Sequence, residues 1–161
     1  MKKQLLVLIC LIAGVLSSCL SDDYVDQNTI DETKIQDYIA ENGLTLEYDP
    51  NSGIHYKIVR QGDTTRRPSP DSSMITVNYE GRLLNDTIFV KGDSVEMDYI
   101  RQPIGFQLGV SSIGEGGEIM MILPSLVGYG SASFTTDTPY SATVPPYSVL
   151  VYEVELLKVG E

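Results

Sequence analysis

Few side chains in this sequence could perform covalent or metal chemistry. The chain has one histidine, His55, and two cysteines, Cys10 and Cys19, so it lacks a set of residues with zinc-ligand spacing. No Ser or Cys constellation surrounds the histidine. Because His55 falls on the polar phase of a predicted strand, we expect it at the surface. The sequence therefore predicts no metal site and no cofactor.

The aromatic side chains differ in how well core packing alone accounts for them. Tyr129 lies between Gly128 and Gly130 in a predicted loop, where no strand periodicity requires a buried ring. Tyr79, Phe106 and Tyr152 lie instead on predicted strands, where core packing alone would account for them. Core packing alone therefore explains Tyr129 less well than it explains the strand aromatics.

The charge balance excludes one class of partner. The net charge is −11 and the sequence pI is near 4.4. Outside the N-terminus, no cluster of basic residues is larger than Arg66-Arg67. We therefore expect no nucleic-acid binding through a basic face.

Residues 148–158 give the clearest strand signal, and the other elements must be arranged around it. Leu150, Tyr152, Val154 and Leu156 share one phase, while the opposite phase mixes valines and glutamates. Such a strand belongs in the middle of an antiparallel sheet that packs one face on a core.

Further strands are predicted before it. Residues 53–59, 74–84 and 104–108 alternate, residues 118–123 are almost wholly apolar, and a loop at residues 91–93 separates Phe89 from a short run over 95–99. Gly81 interrupts the second of these strands and indicates a bulge. Five or six short strands with little helix predict an α+β fold built on an antiparallel sheet.

A short N-terminal helix is predicted over residues 32–41. Ile35, Tyr38 and Ile39 form one apolar stripe, Thr29 or Asp31 could cap its beginning, and Asn42-Gly43 ends it. A ten-residue helix is marginal alone, so it must pack on another element. A role in packing at the domain edge is favoured, and a dimerisation arm is the alternative.

The N-terminus reads as a targeting segment. Lys2-Lys3 precede a mostly apolar run that is too short to span a membrane comfortably. Residues 16–19, Leu-Ser-Ser-Cys, resemble a bacterial lipobox, which predicts cleavage and lipidation at Cys19. Residues 20–23, Leu-Ser-Asp-Asp, resemble the acidic export signal of surface lipoproteins in Bacteroidetes-like bacteria, although an ordinary solvated tether is equally consistent.

Four ordered motifs over residues 53–158 resemble the FKBP-type peptidyl-prolyl isomerase family. They are Val77-Asn78-Tyr79-Glu80-Gly81-Arg82-Leu83, Phe106-Gln107-Leu108-Gly109, Ile122-Leu123-Pro124-Ser125 with Gly128-Tyr129-Gly130, and Pro145-Pro146 with the C-terminal strand. The resemblance implies an apolar pocket that holds a proline ring and needs no cofactor. Its walls would be Tyr79, Phe89, Phe106, Val144 and Tyr152, with Ile104 at a usually aromatic position, and the Tyr129 hydroxyl would bind the substrate carbonyl.

The sequence departs from this family at two places. The family has a glycine–tryptophan pair and a covering helix before its next strand, whereas residues 110–117 hold three glycines and the chain has no tryptophan. These eight residues predict at most one helical turn. The second departure is the acid that follows the pocket phenylalanine, because Phe89 is followed by Val90; Asp93 is the alternative.

These observations divide the chain into four segments. Residues 1–18 are a lipoprotein signal peptide, 19–30 a flexible acidic tether, 31–49 the N-terminal helix and linker, and 50–161 an FKBP-like domain with its central covering helix reduced or absent. The exposed sheet face would then need a cover. The N-terminal helix, residues 131–143 and a second copy of the chain are the candidates, and we expect the loop together with a homodimer.

The expected function is prolyl isomerisation that assists the folding of exported proteins. The partners would be proline-containing polypeptide segments, and a lipid anchor would hold the protein to the cell envelope, most simply at the outer membrane. The alternatives are a non-catalytic chaperone or peptide-binding lipoprotein and a scaffold that only retains the fold.

Overall fold

The computed structural model describes residues 26–71, 74–136 and 142–160. Within these residues the chain forms two α-helices, eight strands and two short 3₁₀ turns, at residues 99–101 and 125–127. In chain order the main elements are α1 (Gln27–Glu41), β1 (Glu47–Asp49), β2 (Ile54–Arg60), β3 (Met74–Leu83), β4 (Ile88–Asp98), α2 (Ile104–Ser111), β5 (Glu118–Leu123), β6 (Phe134–Thr135), β7 (Thr143–Val144) and β8 (Leu150–Val159). None of the helices in these residues has the length and apolarity needed to cross a membrane.

Six strands form one antiparallel sheet in the order β1-β2-β5-β8-β3-β4, and β6 and β7 form a separate hairpin. The C-terminal strand β8 lies between β5 and β3, as its sequence predicts, and most of its residues are buried. The α+β fold with a six-stranded antiparallel sheet and a short N-terminal helix is therefore confirmed.

The β4 strand is longer than the sequence predicts. Residues 91–93, expected as a loop, lie within a strand of eleven residues. The pairing with β3 shifts register near Gly92, where Ser94 donates its backbone N–H to the Asn78 side chain at 2.8 Å. A bulge therefore accommodates residues 91–93 within β4, and the strand continues beyond them. A second register shift follows Gly81, as predicted.

The α2 helix replaces a predicted strand. Residues 104–108 alternate between apolar and other residues, but Ile104 and Leu108 are also one helical turn apart, and both are about half exposed. Phe106 and Val110 are one turn apart as well, and both are buried against the sheet. A five-residue run fits both periods, so the strand prediction is wrong here. The covering helix is short, at eight residues, and ends at Ser111.

Both faces of the sheet are covered. On one face α2 and the β6–β7 hairpin pack against a large cluster that includes Phe106, Leu150 and Tyr152. On the other face α1 places Ile35 and Tyr38 against Ile122, Val149 and Val151. The expected cover by the loop over residues 131–143 holds for its described part, while α1 covers the second face. The homodimer stays a prediction.

The beginning of α1 differs from the predicted one. The helix starts at Gln27, so residues 27–30 are helical and not part of a tether. The N-cap is Asp26, and neither Thr29 nor Asp31 caps the helix. Asp31 is instead fully buried, and its carboxylate accepts a hydrogen bond from the backbone N–H of Ser125. The predicted end is confirmed, since Asn42 is the C-cap and Gly43 has a φ of +60°.

His55 is buried, not exposed at the surface. Its ring lies between Tyr48, whose ring centroid is 4.8 Å away, and Glu32 of α1, whose carboxylate is 3.0 Å from Nε2. The polar phase of β2 faces the helix at this point. The prediction was wrong because a polar phase indicates solvent only where no other element covers it.

Candidate functional site

Three aromatic rings from three elements meet at the centre of the larger core. Tyr152 of β8 packs edge-on against Phe89 of β4 at 5.7 Å and against Phe106 of α2 at 5.3 Å, measured between ring centroids. Edge-to-face contacts at these distances are favourable arrangements of aromatic quadrupoles. All three rings are almost fully buried. They form the apolar floor of the candidate site.

Gly81 of β3 makes this arrangement possible. A Cβ atom at this position would lie 2.7 Å from Cζ of Phe89 and 2.8 Å from Cε1 of Tyr152. Both distances are shorter than real carbon contacts, so a side chain at Gly81 would displace the two rings. The glycine that suggested a bulge in the sequence therefore also opens space for the aromatic floor.

Tyr129 joins the cluster from the loop after β5. Its ring packs edge-on against Phe89 at 6.4 Å and stacks on Phe134 of β6 at 4.3 Å with an interplanar angle of 11°. Gly130 has a φ of +58°, which reverses the chain directly after the ring. Tyr129 is partly buried, so its ring forms a side of the site that solvent still reaches.

Phe134 was missed by the sequence reasoning. It lies in a segment rich in Ser and Thr, where neither helix nor strand periodicity points to a buried ring. The available signal was that it is one of only three phenylalanines in the chain. Its packing on Tyr129 brings the β6–β7 hairpin over the site. Thr136 reinforces this closure by donating its hydroxyl to the Phe89 carbonyl at 2.9 Å.

Three tyrosine hydroxyls converge on this region. Burial raises the pKa of Tyr79 and of Tyr129, and it raises the pKa of Tyr152 well above 10. The Tyr129 and Tyr152 hydroxyls interact with each other, and Tyr79 is close enough to affect both electrostatically. All three groups are therefore neutral around pH 7 and can act as hydrogen-bond donors.

Most of the predicted site residues are brought together. Tyr79, Phe89, Phe106, Tyr129, Val144 and Tyr152 all belong to or pack against the larger core cluster, and Val144 is fully buried in β7. Ile104 does not, because it lies on the outer face of α2 and half of its surface is exposed. Asp93 is exposed on β4 and lines the same shallow surface depression as Tyr79.

Phe106 of α2 takes the place of the missing tryptophan. The resemblance expected a glycine–tryptophan pair before the covering helix, and Gly105-Phe106 stands in the first turn of that helix. Phe106 points into the cluster and contacts Tyr152, so a phenylalanine ring occupies the floor. The sequence reasoning placed Phe106 on a strand and therefore found no aromatic residue for this role.

The described residues offer no metal centre. Within 26–71, 74–136 and 142–160, no three His, Cys, Asp or Glu side chains lie close enough together to hold an ion. What the site does offer is a buried cluster of aromatic rings with the partly buried Tyr129 and Tyr79 beside it. Such a site can bind an apolar ring and donate a hydrogen bond to a neighbouring carbonyl.

The family model of the FKBP-type peptidyl-prolyl cis-trans isomerases matches residues 65–157. A probable FKBP-type isomerase FkpA of Neisseria meningitidis serogroup B is 33% identical over 113 residues, which cover 68% of this chain and 39% of the relative. An FK506-binding protein of Neisseria meningitidis serogroup A is 38% identical over 98 residues, covering 54% of this chain and 80% of that protein.

A solved structure shows the same fold. The crystal structure of FkpA from Escherichia coli superposes with a TM-score of 0.64 at 24% sequence identity and covers 99% of this chain and 71% of that one. The chain spans only 39% of the length of the first of these relatives. More than half of the sequence of that Neisseria protein therefore lies outside the matched region.

Proposed function

The chain belongs to the FKBP-type peptidyl-prolyl cis-trans isomerase family, and we propose that it accelerates the rotation of Xaa–Pro peptide bonds in exported polypeptides. The observation that supports this most directly is the cluster of Phe89, Phe106 and Tyr152 with Tyr129 beside it. A proline ring placed against this cluster would meet aromatic surface, and the Tyr129 hydroxyl would bind the carbonyl next to it.

The reaction requires geometry more than reactive groups. Rotation passes through a twisted amide that has lost its resonance, against a barrier of about 18–20 kcal/mol. A site accelerates rotation if it binds the twisted amide more tightly than either planar form. A floor that excludes water and a donor fixed at the edge meet this requirement without nucleophile, metal or cofactor.

Each predicted site residue has a place in this proposal. Phe89, Phe106 and Tyr152 form the floor on which the proline ring rests, and Val144 and Tyr79 complete the walls. Tyr129 donates its hydroxyl to a substrate carbonyl. Ile104, half exposed on α2, contacts the peptide at the rim and not the ring itself.

A binding module without turnover is the second candidate. Phe106 is smaller than the tryptophan of the family, and the acid that usually follows the pocket phenylalanine is replaced by Val90. Both changes favour a site that holds apolar or proline-containing segments and rotates them slowly. Such a protein would act as a chaperone that prevents aggregation.

The place of action follows from the N-terminal sequence. Residues 1–18 are proposed as a signal peptide and Cys19 as the lipidated first residue of the mature protein, both outside the described residues. The client polypeptides would then be those that cross the inner membrane and fold in the cell envelope. We assign the protein to the outer membrane, facing either the periplasm or the cell surface.

The first test is the isomerisation of a short Xaa–Pro peptide by the chain without residues 1–19. We expect acceleration over the uncatalysed rate, and Tyr129→Phe should lower kcat/KM by about three- to tenfold, because one hydrogen bond contributes about 1 kcal/mol. Tyr48→Phe makes the same change at an exposed residue of β1 and serves as the matched control.

The outcomes separate the candidate functions. Equal rates for Tyr129→Phe and Tyr48→Phe would remove Tyr129 from the mechanism. A folded wild-type protein that gives no acceleration would contradict the isomerase proposal. Suppression of the aggregation of an unfolded client by that same sample would then support the binding module.

A further inference from the structure

The buried carboxylate of Asp31 connects α1 to the loop that carries Tyr129. Asp31 is fully buried, and its Oδ2 accepts a hydrogen bond from the backbone N–H of Ser125 at 2.8 Å. Its Oδ1 accepts a second hydrogen bond from Gln27 Nε2 at 2.8 Å. A buried carboxylate costs free energy unless such partners are present, so these two donors stabilise its position.

Ser125 in turn holds both neighbours of Tyr129. Its carbonyl accepts hydrogen bonds from the backbone N–H of Gly128 at 3.0 Å and of Gly130 at 2.8 Å. These two glycines flank Tyr129 directly. The position of the Ser125 peptide therefore fixes the short loop that carries Tyr129, the proposed hydroxyl donor.

The 3₁₀ turn that begins at Ser125 has no cap of its own. The residue before it is Pro124, which offers no side-chain acceptor for the first free N–H of the turn. Asp31 supplies that acceptor from a helix 94 residues earlier in the chain. The carboxylate acts as an N-cap provided by another element.

The hydrogen bond between Asp31 and Ser125 joins a residue outside the family match to one inside it. The α1 helix lies outside residues 65–157, over which the family model matches, while Ser125 and Tyr129 lie inside them. We propose that Asp31 is a positioning residue of the isomerase site, and that α1 thereby belongs to the functional unit and is not only a cover for the sheet. This inference rests on the proposed function, because Tyr129 is the residue positioned.

The decisive comparison uses three variants of the chain without residues 1–19. Asp31→Ala removes the acceptor, and Asp31→Asn keeps an oxygen that can accept from Ser125. Ile35→Ala weakens the packing of α1 and leaves Asp31, the hydrogen-bond partner of Ser125, unchanged. If Asp31→Ala does not fold, Asp31→Ser replaces it, because its shorter side chain stays polar but does not reach the amide.

Two readouts are measured on each folded variant: the hydrogen-exchange protection of the Ser125, Gly128 and Gly130 amides, and kcat and KM for the Xaa–Pro peptide. We expect Asp31→Ala to lose at least about tenfold in protection at these amides and a similar factor in kcat/KM. Asp31→Asn should recover most of both, and Ile35→Ala should lose stability while both readouts of the folded protein stay near wild type.

Wild-type protection at the three amides in folded Asp31→Ala would overturn the inference. So would a loss of protection in Ile35→Ala as large as that in Asp31→Ala, because the effect would then belong to helix packing in general. The exchange readout needs no activity, so an inactive wild-type protein would contradict the proposed function while the Asp31–Ser125 connection could still be confirmed.

Discussion

Tyr152 differs from Phe89 and Phe106, the other two rings of the floor, because it brings a hydroxyl into the buried cluster. Its ring packs on Phe89 and Phe106, and almost none of its surface is exposed. The hydroxyl interacts with that of Tyr129. A buried hydroxyl requires a partner, and this partner is the proposed donor to the substrate. Tyr152 therefore connects the floor of the site to its polar edge.

Tyr152→Phe should reduce the loss of stability in alkaline solution. Burial raises the pKa of Tyr152 well above the ordinary value of 10.0, so the folded protein keeps a proton that the unfolded chain releases above about pH 10. The contribution of Tyr152 to stability is therefore constant below about pH 10 and falls as the pH rises further. Without this hydroxyl, the slope above pH 10 should become shallower by up to about 1.4 kcal/mol per pH unit.

The measurement is the free energy of unfolding in urea at several pH values between 8 and 11.5. Tyr48→Phe, at an exposed residue, is the control for the loss of one phenol. Identical slopes in the wild type and Tyr152→Phe would show that this hydroxyl ionises as easily in the folded protein as in the unfolded chain.

The α1 helix is held on the sheet by polar contacts as well as by its apolar stripe. Besides Asp31, Glu32 reaches His55 of β2, and the imidazole is enclosed between Glu32 and Tyr48. Burial alone would raise the pKa of Glu32, but hydrogen bonds from Gln36 and His55 and the charge of His55 outweigh it, so the pKa is lowered. The ionised carboxylate is therefore stabilised in the folded state.

His55→Gln should weaken this contact and cost about 1–2 kcal/mol in the free energy of unfolding near neutral pH. Because the pKa of Glu32 is lowered by folding, its contribution is present above about pH 4.5 and is lost as the pH falls through the folded value. We expect the difference between wild type and variant to shrink at pH 3. Urea unfolding at pH 7 and pH 3 measures it.

Lys57→Gln provides the control for this prediction, since Lys57 is on the same strand and exposed. It should change stability by less than about 0.5 kcal/mol. A His55→Gln variant as stable as Lys57→Gln at pH 7 would mean that the apolar stripe alone holds α1.

Because the whole molecule is acidic, its attachment to a membrane would depend on covalently bound acyl chains. Cleavage before Cys19 would remove Lys2 and Lys3 but no acidic residue, so the net charge of −11 would become −13. Anionic lipid headgroups repel such a chain, and an amphipathic basic surface is absent from its sequence. Acyl chains on Cys19 would then be the main attractive contribution, at about 0.8 kcal/mol per buried CH₂.

Cys19→Ala should therefore move the protein from the membrane to the soluble fraction of the cell envelope. Fractionation after expression of the full chain, followed by detection with an antibody, measures this change. Cys10→Ala, inside the proposed signal peptide, is the matched control and should stay with the membrane. Retention of Cys19→Ala in the membrane fraction would contradict the lipid anchor.

Much of the fold was predictable because its signals are local. The β8 and β5 strands follow from apolar runs, and the end of α1 follows from Asn42-Gly43. The α2 helix was not predictable in this way, because the spacing of Ile104, Phe106 and Leu108 fits two periods over so short a run. The structure shows the helical period because Phe106 and Val110, four residues apart, are both buried.

The sequence by itself determined the strands β2, β3, β5 and β8 and the loop position of Tyr129. The tertiary structure decided which polar residues are buried and what they contact. Asp31 and His55 have polar side chains that indicate solvent until partners 94 and 23 residues away are placed beside them. Phe134 likewise gains its role only by stacking on Tyr129. Periodicity reports the average environment of an element, whereas a contact between distant residues exists only after the elements have packed.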